Sequence, residues 1–143
     1  MDIVLVGPRR NIVAFVRRDG GAPANEFLAT LDEVGFARYA RNFLMLTQHG
    51  RLDGKAFHPL DEKKSRLARH LSEFKDNGTK TRILCFNDGD LGALVLTHGF
   101  QKKENQLDPG EMKRAHAIRD EYFSRRDELV AAFTVNPPKG GRK

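Results

Sequence analysis

The chain has 143 residues and a mass of 16.2 kDa, the size of one ordinary domain, which excludes an enzyme built from separate substrate and cofactor domains. Its 39% apolar residues, including 10 Phe and 2 Tyr but no Trp, suffice for one core and exclude wholesale disorder. The 25 Lys and Arg against 19 Asp and Glu give a net charge of +6 and an isoelectric point near 9.7, a balance that favours anionic partners such as nucleic acid or an acidic protein.

No window approaches the ~20 apolar residues of a spanning helix. The opening MDIVLVGPRR carries its basic residues on the wrong side of too short an apolar run for a secretory signal. The expectation is a cytoplasmic protein with no membrane partner. The single cysteine, Cys85, lies inside the apolar run from Ile83 to Phe86 and reads as core.

In chain order, Ile3 to Val6 and Asn11 to Arg18 read as two strands around the break at Gly7-Pro8, the second closed by Asp19-Gly20-Gly21. From Pro23 to His49 the apolar period becomes helical, through Phe27, Leu28 and Leu31 and then Phe36, Tyr39, Phe43 and Leu46. A corner at Asp32 to Gly35 divides this stretch into a helical hairpin that Gly50 terminates. Arg51 to Arg69 is polar and aperiodic, a loop with room for one helical turn. Three strands follow, Leu71 to Lys75, Thr81 to Asn87 and Ala93 to His98, joined by Asn77-Gly78 and Asp88-Gly89-Asp90. Asn-Gly suits the positive φ angles of a tight hairpin, so the reading is an antiparallel meander. Asp108-Pro109-Gly110-Glu111 then supplies an N-cap, a first-position Pro and a capping-box Glu for a last helix. The predicted architecture is α+β: an N-terminal strand and helical hairpin packed on an antiparallel sheet, a C-terminal helix, and all helices on one sheet face. Residues 1–135 form one domain, and residues 136–143 a disordered basic tail.

The five histidines, His49, His58, His70, His98 and His116, show no metal-ligand spacing. No glycine-rich phosphate loop and no serine nucleophile motif occurs, so neither a metal nor a cofactor is expected. What remains is a cationic set around the meander. Strand alternation places Glu73 and Lys75 on one face and puts Arg82 on the same face as Leu84 and Phe86. Two readings of Arg82 are open: a structural ion pair with Glu73, or an anion-binding group. The run LTHGFQKK, Leu96 to Lys103, adds His98, Lys102 and Lys103. His98 is either structural at a strand end or a proton-transfer group.

The run LSEFKDNGTKTRILCF from Leu71 to Phe86, then LVLTHGFQKK from Leu94 to Lys103, then Pro109 to Tyr122, resembles the phage-derived, HigB-like branch of the RelE/ParE toxin superfamily. Ala22-Pro23 with Glu26-Phe27-Leu28 is similar to that family's S-P-x-x-E-F-L helix start. The resemblance implies a RelE-like fold and the toxin of a type II toxin–antitoxin system. It implies an endoribonuclease, or mRNA interferase, that cleaves mRNA through 2′-OH attack without metal, on or off the ribosome. A small helix-turn-helix antitoxin would mask the groove or the hairpin around Phe27, Leu31, Tyr39 and Phe43. By motif position the catalytic set is Arg82, His98, Lys102 and Lys103, and the RNA-binding set Lys75, Glu73 and Arg114. Thr81 and Lys75 depart from the family's aromatic residue and Arg at those positions. Two alternatives stand beside this reading: a ParE-like toxin that binds DNA gyrase, and a non-catalytic phage protein that binds RNA or a partner.

Overall fold

The computed structural model describes residues 1–103 and 107–129, with Asp2 and Ile3 described by their backbone alone. The expected basic tail at 136–143 lies outside the described residues. The chain runs β1 (Asp2–Val6), β2 (Asn11–Ala14), α1 (Pro23–Ala29), α2 (Glu33–His49), β3 (Phe57–Pro59), a 3-10 turn (Arg66–Ala68), β4 (Ser72–Asp76), β5 (Thr81–Asp88), β6 (Ala93–Gln101) and α3 (Pro109–Ser124). The six strands form one sheet in the order β1-β2-β6-β5-β4-β3. The fold is α+β, as the patterning predicts.

The helix boundaries follow local chemistry. The Asp32 side chain accepts from the Gly35 amide at 2.7 Å to start α2, and Gly50 ends it in the left-handed region at φ 80°. Asp108 caps α3 through the Gly110 amide at 2.8 Å, with Pro109 in the first turn. Glu111, expected to complete a capping box, sends its carboxylate to His98 instead.

Four features differ from the sequence expectation. The helices do not share a sheet face: α1 and α2 pack Ala24, Leu28, Tyr39, Phe43 and Leu46 on Ile83, Cys85, Leu94 and Leu96. On the opposite face, α3 packs Met112, Ala115, Ile118 and Tyr122 on Leu84, Phe86 and Val95. A sheet buried on both faces must be apolar at both parities, which is what β5 and β6 supply. Second, β2 runs parallel to β6, the one parallel pair in the sheet. Third, the segment read as a loop with room for one helical turn contains that turn and also the edge strand β3, which pairs with β4. Fourth, the β4–β5 connection is a four-residue turn whose positive φ falls on Lys80, at 56°, rather than on Asn77 or Gly78.

One irregularity sets which face the end of β6 presents. Leu84 pairs with His98 but Cys85 pairs with Leu96, leaving Thr97 as an extra residue whose hydroxyl donates to the Leu84 carbonyl at 2.9 Å. A bulge of this kind reverses the alternation beyond it. His98 and Phe100 thereby face α3 with Arg82 and Leu84, and Gly99 faces α1. There Gly99 lies flat under Phe27, and a Cβ on Gly99 would sit 2.1 Å from the ring. Glu26 meanwhile accepts from the Ala22 amide at 2.9 Å, bracing the start of α1. Gly99→Ala is expected to displace Phe27 and to lower stability by about 1–3 kcal/mol, measured by denaturant unfolding; an unchanged midpoint would show that the ring is free to move.

Candidate functional site

The α3 helix covers the half of its sheet face around Leu84 and Phe86 and leaves the end near the β4–β5 turn to charged residues. There Lys75 lies directly across from Arg82, and Arg82 directly across from Phe100. In the next row His58 pairs with Glu73, and Glu73 with Leu84. The segment from Leu60 to Leu71 borders this end. It is held by the Leu60 amide donating to Leu71 at 2.9 Å and by His116 of α3 meeting the Leu67 carbonyl at 2.7 Å.

Glu73 is the hub. Its Oε2 lies 2.9 Å from His58 Nε2, and its Oε1 lies 3.3 Å from Arg82 Nε. Oε1 and Nε are buried and face each other without hydrogen-bond alignment. Arg82 NH1 donates to the Thr81 carbonyl at 2.8 Å. His58 Nδ1 lies 3.0 Å from the Gly54 carbonyl, so the ring stands between a carbonyl and a carboxylate. A neutral imidazole donates to only one of these, whereas the imidazolium donates to both. With about a third of its side chain exposed, at 32%, His58 is also the imidazole at this site that solvent reaches.

Lys102 completes the cluster. Its amide donates to the Lys80 carbonyl at 2.8 Å, tying the end of β6 to the β4–β5 turn. Partial burial holds its ammonium below the ordinary lysine range, and the charges of Arg82, Lys75 and Lys64 push the same way, against Glu73. The charges of Arg82, Lys75 and Lys64 thus bear on Lys102, and Lys75 sits opposite Arg82, the residue that faces Glu73. A compact excess of positive charge in a partly desolvated setting suits a phosphoryl group that gains negative charge.

The predicted site residues therefore divide. Arg82, Glu73, Lys75 and Lys102 come together. Lys103 is exposed. His98 is 1% exposed and gives Nε2 to Glu111 at 3.0 Å, with Nδ1 3.1 Å from the Thr97 hydroxyl. Burial lowers its pKa, outweighing Glu111. His98 stands about 10 Å from Glu73, two strand spacings away, and its contact with Glu111 holds the first turn of α3 on β6. Arg114 is exposed on α3, and its charge bears on His98.

His58 and Lys64 are the site residues that sequence reasoning did not select. Both come from the segment read as loop, and only the pairing of β3 with β4 brings His58 to Glu73. Of the apolar hairpin residues assigned to partner binding, Tyr39 and Phe43 are core, at 0% and 3% exposed, and Phe27 and Leu31 are half-buried against the same core, so the exposed apolar surface of α2 is made by other residues, Val34, Phe36, Leu44 and Met45. Among the described residues no cluster of three or more His, Cys, Asp or Glu is arranged to hold a metal ion, and no helix is long and apolar enough to cross a membrane. No family model matches the chain, and no curated protein matches it.

Proposed function

We propose that the chain is the toxin of a toxin–antitoxin pair, an endoribonuclease that cuts mRNA at the Glu73–Arg82 end of the sheet. The observation that carries the reading is that Arg82, with Lys75 directly across the sheet, shares the buried Glu73 carboxylate with an accessible imidazole, at the end of the sheet where Lys102 is tied to the β4–β5 turn. In the reaction, the 2′-oxygen attacks the adjacent phosphorus, the bond to the 5′-oxygen breaks, and the products are a 2′,3′-cyclic phosphate and a 5′-hydroxyl. The proton of the 2′-hydroxyl goes to a base, and another proton goes to the departing oxygen. His58, held through Nε2 by Glu73, handles one of these protons through Nδ1 once that nitrogen leaves the Gly54 carbonyl. Arg82, Lys75 and Lys102 supply positive charge to the phosphorane, the part a metal plays in other nucleases.

The exposed basic end explains why such a protein would need a small antitoxin, since an acidic or helical segment laid across it would neutralise the cluster. The deciding experiment is induction in bacteria with mapping of 5′ ends on a model transcript. Cuts within the reading frame bearing 5′-hydroxyls are expected; intact mRNA with broken chromosomal DNA would replace this reading with a gyrase-directed toxin. Repeating the mapping in a translation-free extract then separates ribosome-dependent from free cleavage.

A further inference from the structure

At the far end of β5 from Arg82, on the face covered by α2, lies an open cleft of about 590 Å³ lined by Arg9, Arg10, His49, Gly50, Arg51 and Asn87. Three guanidinium groups meet here with no acidic residue in the lining. Arg10 is hydrogen-bonded to the neutral Asn87 side chain, and none of the three arginines forms an ion pair with a described residue. Such a cluster repels itself, and a fold with no use for it would scatter the charges or pair them.

One structural role would be to offset the carbonyl end of α2, whose last turn opens on this cleft. The backbone already does that work: the Arg9 amide donates to Thr47 at 3.0 Å and the Gly50 amide to Leu46 at 2.8 Å. No arginine side chain donates to these carbonyls among the contacts described, so the forks of the exposed Arg9 and Arg51 are left to solvent, while Arg10 spends one donor on Asn87. The opposite lip is made by Gly89 and Gly92, where an added Cβ would meet nothing within 4 Å. The cleft is therefore open to a bulky ligand. The planar fork of Arg matches two oxygens of a phosphate at once.

We propose that this cleft is a second nucleic-acid contact, gripping the phosphodiester backbone of a single strand through Arg9, Arg10 and Arg51. It is separated from Arg82 by roughly 17 Å of strand and lies on the other sheet face, so it is an anchoring surface and does not extend the cluster around Glu73. Its existence does not depend on whether that cluster cleaves RNA. An acidic protein segment is the competing occupant, but phosphate suits three forks around one open cleft better than side-chain carboxylates spaced along a peptide.

The test uses the full chain and a fluorescein-labelled 2′-O-methyl oligouridine of 20 nucleotides, which lacks the attacking hydroxyl and so reads binding alone. Arg9→Gln/Arg51→Gln, at two exposed positions, should weaken binding and reduce the slope of log K against log salt by about 1.4, two phosphate contacts at ~0.7 each. The same reduction is expected in an Arg82→Gln background, so that failure here is distinguishable from failure of the cleavage reading. In the wild-type protein the oligonucleotide should shift the amide resonances of Gly50, Gly89 and Gly92, a readout that needs no variant. An unchanged slope with unmoved glycine amides would overturn the proposal. So would a polyglutamate peptide that binds in an Arg9- and Arg51-dependent way where the oligonucleotide does not.

Discussion

Arg82→Gln is expected to reduce RNA cleavage and growth inhibition by roughly 10²-fold or more, the loss seen when a preorganised donor to a developing oxyanion is removed. The guanidinium has five N–H donors; NH1 serves Thr81 and Nε faces Glu73. Because Arg82 and Glu73 are each 7% exposed, the single variant also leaves a buried carboxylate with one cationic partner fewer, and it should melt lower than the wild type. His58 remains on Glu73 and limits that loss. The double variant Glu73→Gln/Arg82→Gln removes both charges, together with the carboxylate that orients His58, and so sets stability apart from rate. It should regain much of the thermal stability, as replacement of a whole buried pair often does, without regaining the rate. If the double variant recovers activity together with stability, Arg82 is a structural partner of Glu73 and the site lies elsewhere.

The parts of this fold that were legible in the sequence are those fixed by neighbours along the chain. Asp32 and Gly50 bound α2, and Asp108-Pro109 opens α3, because caps act through backbone groups two or three residues away. The common face of Lys75, Arg82 and Glu73 was legible because strand alternation and one hairpin determine it. The parallel pairing of β2 with β6 joins residues about 80 positions apart and leaves no local mark. The β3 strand is three residues long, ends in Pro59 and pairs on one side only, too little to produce a period. His58 was hidden for the same reason. The placement of helices on both faces did leave a signal: Ile83 to Phe86 and Leu94 to Leu96 are continuous apolar runs, the pattern of strands covered on both sides. The motif residues of the family resemblance serve two purposes here. Glu26, Phe27 and Gly99 interlock α1 with β6, and His98 seats α3, whereas Arg82, Lys75 and Lys102 make the charged end.

The largest expected loss of stability comes from the other end of β5. Asp88, 3% exposed, accepts from Tyr122 Oη at 2.7 Å and from Arg126 Nε and NH2 at 2.8 and 3.1 Å. This ties α3 and the turn after it to the sheet, as Asp76 ties α2 through Arg38 at 2.7 and 3.1 Å on the opposite face. Burial alone would raise the Asp88 pKa, but the hydrogen bonds from Arg126 and Tyr122 outweigh it and hold the carboxyl below its ordinary value. Asp88→Ala strands the buried Tyr122 hydroxyl and leaves Arg126 with only the exposed Asp90, 3.6 Å away, and water, a cost of about 3 kcal/mol and roughly 10 °C in Tm. A carboxylate whose pKa is depressed in the folded state adds stability that is present above the unfolded-state pKa and disappears as pH falls through the folded value. The gap in Tm between wild type and Asp88→Ala should therefore be full at pH 7 and narrow steadily below about pH 4. Scanning calorimetry across that range checks both the size and the sign. A gap that stays constant into acid would mean that the loss comes from packing around Tyr122 and that the charge on Asp88 contributes nothing.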